Sequence, residues 1–491
     1  MRLVQHPQRH FGQVDIAEIE IDPRSRDDIP ALLKGLQHLY VHDVLRQKTF
    51  AILEKTLGEE VNCEVGRPGM ELWKIFVLGT LKLGTNCDYD RLQELANQHS
   101  TLRQMLGHSD WTDTGTYALQ TLIDNVSKLT PAILSEINQV VVDAGHELVK
   151  KKSGETLEGR CDSFVVETDV HYPTDANLLW DAMRKLLTGL GRACHAYGIP
   201  DWRQYRYNLR QLKKRFRKTQ KRRQSNSKDD VKRETKRRQI NAAYEDYLAE
   251  ARTFLIKAET TIKTLTQQGH VVTATALQDY VRHAVRQIDQ IERRVLKGEV
   301  IPHEEKVFSI FEEHTEWISK GKAGVPVELG VRVCVLEDQY QFILHHRIMW
   351  NETDDKITLA MVKDTQALYP DLRQSSFDKG FYTPGNQAAL KPLLDQCILP
   401  KKGRLSAQDK EHEYSDVFIQ ARRQHSAVES CINNLEQRGL DRCLSYGKHG
   451  FERHVALSVV ACNLHRIGLL LQRQERAQLA KEKRKRQRLA A

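Results

Sequence analysis

Three acidic residues, far apart in the chain, have the residue types and settings that could hold divalent metal ions. Asp162 lies in a β-branched and aromatic run typical of a strand, and Asp378 ends a second predicted strand, 374–378, at a Gly turn. Glu429 falls in the first turn of a predicted helix. Two strand-borne aspartates and one helix-borne glutamate suit two hard cations that cleave a phosphodiester. In a basic chain, this combination points to chemistry on DNA.

Each of these acids also has a purely structural interpretation. Asp378 precedes a Lys-Gly pair, and Asp-x-Gly after a strand often forms a turn. Ser426 and Glu429 have the spacing of a capping box, in which the glutamate accepts its own N-cap amide, and Asp162 could cap a strand. Their joint occurrence in basic surroundings favours the catalytic interpretation. The surrounding cations are Lys379, Lys401, Lys402, Arg404, Arg422, Arg423, Arg438 and Arg442.

Asp169 is an alternative to Asp162 as the first acid. The two residues are seven positions apart, so on a regular strand they face opposite sides and lie about 23 Å from each other. Only one of them can therefore belong to the site.

The positive charge of the chain is concentrated. Among 491 residues with a net charge of +10, the segment 210–238 holds fifteen Lys and Arg against three Asp and Glu. A second basic run, 481–486, could equally be a solvated, partly disordered tail. Clustered cations bind phosphate backbones through counterion release. The expected DNA contacts are Lys213, Lys214, Arg215, Arg217, Arg222, Arg422, Arg423 and Arg442.

Aromatic residues interleave with the first basic segment. They are Trp202, Tyr205, Tyr207 and Phe216. Because bases stack on aromatic rings, we expect stacking to join charge neutralisation here.

Composition excludes several classes of protein. The sequence shows no apolar run near the roughly twenty residues that span a bilayer and no signal-peptide core, so no membrane is expected. Nine scattered cysteines without a C-x-x-C pair support neither a disulfide framework nor a structural zinc site. A reducing compartment is indicated, which predicts a cytoplasmic, nucleoid-associated protein.

The pattern of elements predicts an α/β (α+β) fold with five segments. Helical spacing at 30–57, 71–83, 89–96 and 102–106 indicates an all-α N-terminal region, 1–155, for binding DNA ends or for dimerisation. A helix–polar turn–helix there fits either DNA binding or a packing bundle. The first strand lies in 156–180, a basic helical insertion in 181–305, further strands and helices in 306–470, and a basic tail in 471–491. Without the insertion, this is the order of an RNase H-like mixed-sheet core.

The chain resembles DDE-type bacterial insertion-sequence transposases of the ISNCY-like group over nearly its whole length. The motifs that carry the resemblance are 66–70, 88–92, 102–108, Asp162-Ser163 with 171–175, 314–318, 378–382, 426–429 and 439–443. Many relatives carry Tyr-x2-Arg-x3-Glu-x6-Lys around the last acid. Here His425 and Glu436 occupy the Tyr and Lys positions, so Arg422, Arg423 and Arg442 become candidates to hold the scissile phosphate. The insertion also follows the first strand instead of preceding the glutamate helix.

The resemblance implies a function and a set of site residues. The resemblance implies that Asp162, Asp378 and Glu429 are the catalytic acids and bind the metal. The metal would be two Mg²⁺ ions, or Mn²⁺ instead of Mg²⁺. The resemblance also implies binding of double-stranded DNA, both terminal inverted repeats and target, by a homodimer, followed by strand cleavage and strand transfer. Two alternatives are a non-catalytic DNA-binding or regulatory protein derived from a transposase, and a structure-selective nuclease of the same fold.

Overall fold

A computed structural model describes residues 2–57, 69–109, 114–222, 228–319 and 326–490. The chain divides into two compact units. The sheet unit comprises Met1–Asp169 and Ile318–Ala491, and the helical unit is Val170–Trp317. The N-terminal helices therefore share one unit with the strands, and the insertion is longer at both ends than the predicted 181–305. The Gly66-Arg67-Pro68 motif and Cys63 lie outside the described residues.

The N-terminal helices form where apolar residues recur at helical spacing. Asp27 caps the first helix by accepting the Ile29 N–H at 2.8 Å, and Leu32, Leu36 and Leu39 on one face are fully buried. The predicted helical segments are confirmed, and two further helices follow them. The helices are α1 (Asp28–Val41), α2 (Asp43–Glu54), α3 (Leu72–Gly84), α4 (Tyr89–Gln98), α5 (Ser100–Met105), α6 (Leu119–Val126) and α7 (Pro131–Leu148).

The helical unit has its own core. It contains α8 (Asp175–Ala196), α9 (Tyr205–Gln220), α10 (Asp230–Gln267) and α11 (Val271–Ile291). Thr174 caps α8, because its hydroxyl oxygen accepts the Asn177 N–H at 3.2 Å. The expectation of nucleic-acid stacking is wrong for two of the aromatic residues, because Trp202 and Phe216 are buried in this core. The Trp202 indole donates to Thr261 at 2.9 Å, and Phe216 lies parallel to Trp180.

The sheet unit contains an open mixed sheet. Its strands are β1 (Leu157–Thr168), β2 (Glu316–Ser319), β3 (Val327–Glu337), β4 (Ile343–Met349), β5 (Leu372–Phe377), β6 (Gln396–Ile398) and β7 (Arg442–Cys443). The main path is β2-β3-β1-β5-β6, with β4 paired to β3 and β7 paired to β1. Strands β1 and β3, and β3 and β4, run antiparallel, whereas β1, β5 and β6 run parallel. The predicted mixed α/β class is confirmed.

The remaining helices follow β4 in the chain, between and after the last strands of the sheet. They are α12 (Asp354–Leu368), α13 (Pro384–Leu390), α14 (Ala407–Glu413), α15 (Asp416–His425), α16 (Ala427–Leu435) and α17 (Gly447–Ala490). Helix α17 crosses α1 at glycines. A Cβ on Gly468 would lie 1.8 Å from the Ala31 carbonyl oxygen, and one on Gly35 would lie 2.3 Å from the Leu464 carbonyl oxygen. Only glycine permits this approach.

One helix in the described part of the chain is long and apolar enough to span a membrane. It is α17, and 78% of its most apolar window is buried inside the protein. This differs from the expectation that no such run exists. Burial of that window is what the core helix of a soluble protein requires, so α17 is weak evidence for a membrane span.

Candidate active site

Two of the predicted acids lie side by side at one edge of the sheet. Strands β1 and β5 run parallel with Cys161 opposite Phe377. Asp162 and Asp378 are the next residues on these adjacent strands, which are spaced by about 4.8 Å. Asp162 is half-buried within β1, and Asp378 is exposed directly after β5. The parallel register therefore brings together two residues that are 216 positions apart in the sequence.

The electrostatics of Asp162 place two further acids nearby. The pKa of Asp162 is raised to about 6, chiefly by burial, with a further contribution from the charges of Asp378, Asp354 and Glu429. A hydrogen bond from the Ser163 N–H to Asp162 Oδ1, at 2.8 Å, acts in the opposite direction. Four carboxyl groups therefore lie close enough to repel one another.

The side chains of Glu429 and Asp378 do not take part in the capping box and the turn that were the structural alternatives for them. Ser426 adopts a helical conformation and makes no capping hydrogen bond; its hydroxyl donates instead to the Arg423 carbonyl at 2.7 Å. The interpretation of Ser426 and Glu429 as a capping box is therefore wrong, and Glu429 lies exposed in the first turn of α16. Asp378 precedes the 3₁₀ turn Lys379–Phe381 without a side-chain cap hydrogen bond, so its carboxylate is not used by that turn.

Asp354 is the acid that sequence reasoning missed. It begins α12, and its Oδ1 accepts the Ser163 hydroxyl at 2.6 Å. Its Oδ2 lies beside the Asp378-Lys379-Gly380 turn, where a Cβ on Gly380 would come within 2.9 Å of it. A first-turn aspartate is ordinarily explained by the helix dipole. The available signal was its position immediately after the β3–β4 hairpin, one element before Asp378.

We expect Asp354→Asn to weaken Mg²⁺-dependent activity about tenfold, because an acid beside the candidate metal ligands orients them and adds charge. The matched control is Asp355→Asn, in the same helical turn, which should stay within about twofold. Initial rates of plasmid nicking measure both. Equal losses in the two variants would show that the first turn of α12 acts only through helix stability.

His425 joins the acids from the end of α15. Its Nδ1 lies 3.0 Å from the Ser376 hydroxyl, on β5. Burial lowers the pKa of His425, as do the charges of Arg160 and Arg422, whereas Asp378 and Glu429 raise it. The imidazole is therefore neutral at neutral pH and lies near the carboxylates of Asp378 and Glu429.

The predicted arginines separate into two places. Arg422 lies near enough to affect His425, and Arg423 is exposed on the same helix, α15. Arg442 instead pairs with Glu167 at 3.2 Å and lies 3.8 Å from Asp169. Glu167 is five residues beyond Asp162 on β1, or roughly 16 Å along the strand. Arg442 is therefore wrong as a holder of phosphate at these acids, and Asp169 lies away from them too.

The donor set suits a hard cation in its chemistry, because Mg²⁺ takes oxygen ligands. Repulsion among the carboxylates is also what a divalent ion would relieve. No group of three or more His, Cys, Asp and Glu side chains in the described ranges is arranged to hold a metal ion. Rotation of the exposed Asp378 and Glu429 side chains would be needed to bring oxygens to about 2.0–2.1 Å from Mg²⁺.

The predicted DNA contacts of the helical unit differ in their surroundings. Arg210, Lys214 and Arg217 on α9, with Lys221 after it, are exposed at helical spacing and form a basic stripe. Arg215 instead pairs with Asp246 at 3.1 Å and Glu250 at 3.4 Å, so its charge is compensated. The Lys213 ammonium lies 5.8 Å from the centre of the Trp180 ring. The stripe is therefore the part of this segment best suited to bind phosphates.

Comparisons of the chain with protein-family models, with curated proteins and with solved structures gave no match.

Proposed function

We propose that the chain is a DDE-type transposase, which binds transposon ends and catalyses Mg²⁺-dependent phosphodiester cleavage and strand transfer. The observation that carries the proposal is the meeting of Asp162, Asp378 and Glu429 at one edge of the sheet. These are the residues that the family resemblance selects. A chance resemblance of motifs would not require acids so distant in sequence to lie together.

The order of elements supports an RNase H-like core. From β1, the chain passes through the insertion, then the β3–β4 hairpin, α12, β5, α13, β6 and the Glu429 helix α16. This is the order that the resemblance implies, with three additions: the short strand β2 before β3, and the helices α14 and α15 between β6 and α16. The acids stand on the first strand, after a later strand, and on a helix.

The chemistry divides among the residues as follows. Asp162, Asp378 and Glu429 would hold two Mg²⁺ ions, and Asp354 would orient the donors around Ser163. When bound, Mg²⁺ supplies Lewis acidity toward the scissile phosphate and lowers the pKa of water. Arg422 offers positive charge for the phosphate, and His425 offers a neutral hydrogen-bonding group beside it. A 3′-hydroxyl could later replace water at the same acids, so that one site serves cleavage and strand transfer.

Binding of double-stranded DNA, at terminal repeats and at target, is assigned to the basic residues. The basic stripe carries four cations over eleven residues, or about 16 Å of helix. Such a row neutralises successive phosphates without reading sequence. A homodimer on paired ends and a cytoplasmic, nucleoid-associated location complete the proposal.

We expect the double variant Lys214→Ala/Arg217→Ala to bind DNA more weakly and to lower the salt slope, d log K/d log[salt], by about two. The control is Lys263→Ala. Lys263 is exposed near the C-terminal end of α10, away from the basic stripe on α9. Fluorescence anisotropy with a labelled duplex at several salt concentrations measures both. An unchanged slope in the double variant would remove the stripe from the DNA interface.

A nicking assay tests the function itself. Supercoiled plasmid carrying the inverted repeats that flank the gene is incubated with the protein in Mg²⁺ or in EDTA. End-specific, Mg²⁺-dependent breaks support the transposase, whereas cleavage that ignores the ends supports a structure-selective nuclease.

A non-catalytic DNA-binding protein derived from a transposase is the second candidate. The observation that favours it is that, within the described residues, the acids are not arranged as a ready-made metal site. DNA binding with no cleavage under any divalent ion would establish this second function.

A further inference from the structure

A cavity of the helical unit is lined by four arginines. Its volume is about 630 Å³, within the range of small-molecule sites. Arg233 and Arg237 come from α10, where Ile240, Asn241 and Tyr244 continue the same face at helical spacing. The other lining residues are Arg222, after α9, and Arg294, Val295 and Gly298, after α11.

The arginines carry more positive charge than their neighbours neutralise. Arg294 pairs with Asp175 at 3.0 Å, and Arg233 pairs with Asp230. Arg222 donates to the neutral Gln239 side chain at 2.7 Å. Four guanidinium groups against two carboxylates leave two positive charges, counting the described residues. A phosphate monoester near neutral pH has a charge between −1.5 and −2, and guanidinium forks match its oxygens.

The rest of the lining adds one further feature of a ligand site. Ile240, Val295 and the Tyr244 ring form an apolar wall. Such a wall suits the base or sugar attached to a phosphate.

We propose that this cavity binds the 5′-phosphorylated end of a DNA strand, with its phosphate on Arg222, Arg233, Arg237 and Arg294. The choice of DNA as the ligand rests on the proposed function, whereas the choice of a phosphate monoester rests on the cavity. The basic stripe supports DNA, because Lys221 directly precedes Arg222 and the phosphates bound along α9 would lead to the cavity.

The test compares two labelled 20-bp duplexes that differ only in having 5′-phosphate or 5′-hydroxyl ends. Anisotropy is measured on the full chain in EDTA and about 150 mM salt, so that no cleavage occurs. The wild-type protein should bind the phosphorylated duplex about tenfold more tightly than the 5′-hydroxyl duplex. The 5′-hydroxyl end cannot form the charged hydrogen bond that arginine makes to phosphate. Arg237→Gln should lose this preference and keep its affinity for the 5′-hydroxyl duplex. Arg282→Gln, outside the cavity on α11, should keep the preference.

The outcomes separate the proposals. Equal binding of the two duplexes by the wild-type protein overturns the inference, and so does a preference that survives both Arg237→Gln and Arg222→Gln in folded protein. Free AMP that displaces the duplex as strongly as a phosphorylated dinucleotide would assign the cavity to free nucleotides and overturn the DNA-end assignment. Mg²⁺-dependent nicking without the preference defeats this inference alone. The preference without nicking defeats the proposed catalysis alone.

Discussion

Asp162→Asn, Asp378→Asn and Glu429→Gln should each reduce Mg²⁺-dependent cleavage by at least about a thousandfold, or ~4 kcal/mol in transition-state free energy. Each change removes the negative charge of one proposed metal ligand and keeps the size of the side chain. Binding of end-containing DNA should change less than threefold, because the basic residues are untouched. Nicking rates and anisotropy on the same preparations measure the two properties.

Asp169→Asn is the matched control for Asp162→Asn. Both aspartates belong to the first-strand segment, but Asp169 lies beyond the end of β1, beside Arg442. We expect this variant to cleave at close to the wild-type rate. Full cleavage by Asp162→Asn, together with loss in Asp169→Asn, would exchange the two assignments. Full cleavage by all of the variants would remove Asp162, Asp378 and Glu429 from the catalytic site.

The sheet edge could be predicted because the signals there are local. A short strand that ends in an aspartate before a Gly turn indicates both the strand and the residue at its end, as at Asp378. Parallel pairing of β1 with β5 sets Asp162 beside it, but the register that aligns the two residues comes from the folded sheet. Asp354 could not be distinguished in this way, because an acid in a first helical turn is explained equally well by the helix dipole.

The error at the aromatic residues has a physical cause that the sequence contains. On α9, Leu212, Phe216 and Thr219 are spaced three to four residues apart, and they share the buried face. The exposed cations Lys214 and Arg217 fall between them on the opposite face. Alternation along the sequence is therefore not alternation in space, and helical spacing separates core aromatics from the surface that binds phosphate.

The grouping of elements into units could not be obtained from the sequence. Helix α1 packs on α17, more than 400 residues later, through the approach of Gly35 and Gly468. A glycine inside a helical pattern normally weakens the prediction of a helix. These two glycines are explained by helix–helix packing, which only the folded chain shows. The N-terminal region was therefore expected to be separate, whereas it shares the core of the sheet unit.

The stability that Asp162 contributes to the metal-free protein should fall as pH rises from about 4 to about 6, and Asp162→Asn should remove that part of the pH dependence. The pKa of Asp162 is raised from 3.8 to about 6 in the folded protein. Within that window the folded state retains a proton that the unfolded state releases, so ionisation favours unfolding as pH increases. Above pH 6 the full penalty applies, which is about 2 kcal/mol after allowance for the partial exposure of Asp162.

Chemical denaturation of the wild-type and Asp162→Asn proteins in EDTA, from pH 4.5 to 7.5, measures the effect on the sheet unit. The variant should be about 2 kcal/mol more stable at pH 7.5, and this difference should fall to about a third of that value at pH 4.5. Asn keeps the Oδ1 that accepts the Ser163 amide, so this hydrogen bond is not lost in the variant. Mg²⁺ should stabilise the wild type by mass action and the variant less. An Asp162→Asn protein no more stable at pH 7.5 would mean that neither burial nor the neighbouring carboxylates raise the pKa of Asp162. Asp162 would then not lie in the concentrated negative charge that a cation site requires. The stability that the metal-free protein loses at neutral pH is the stability that bound Mg²⁺ would restore.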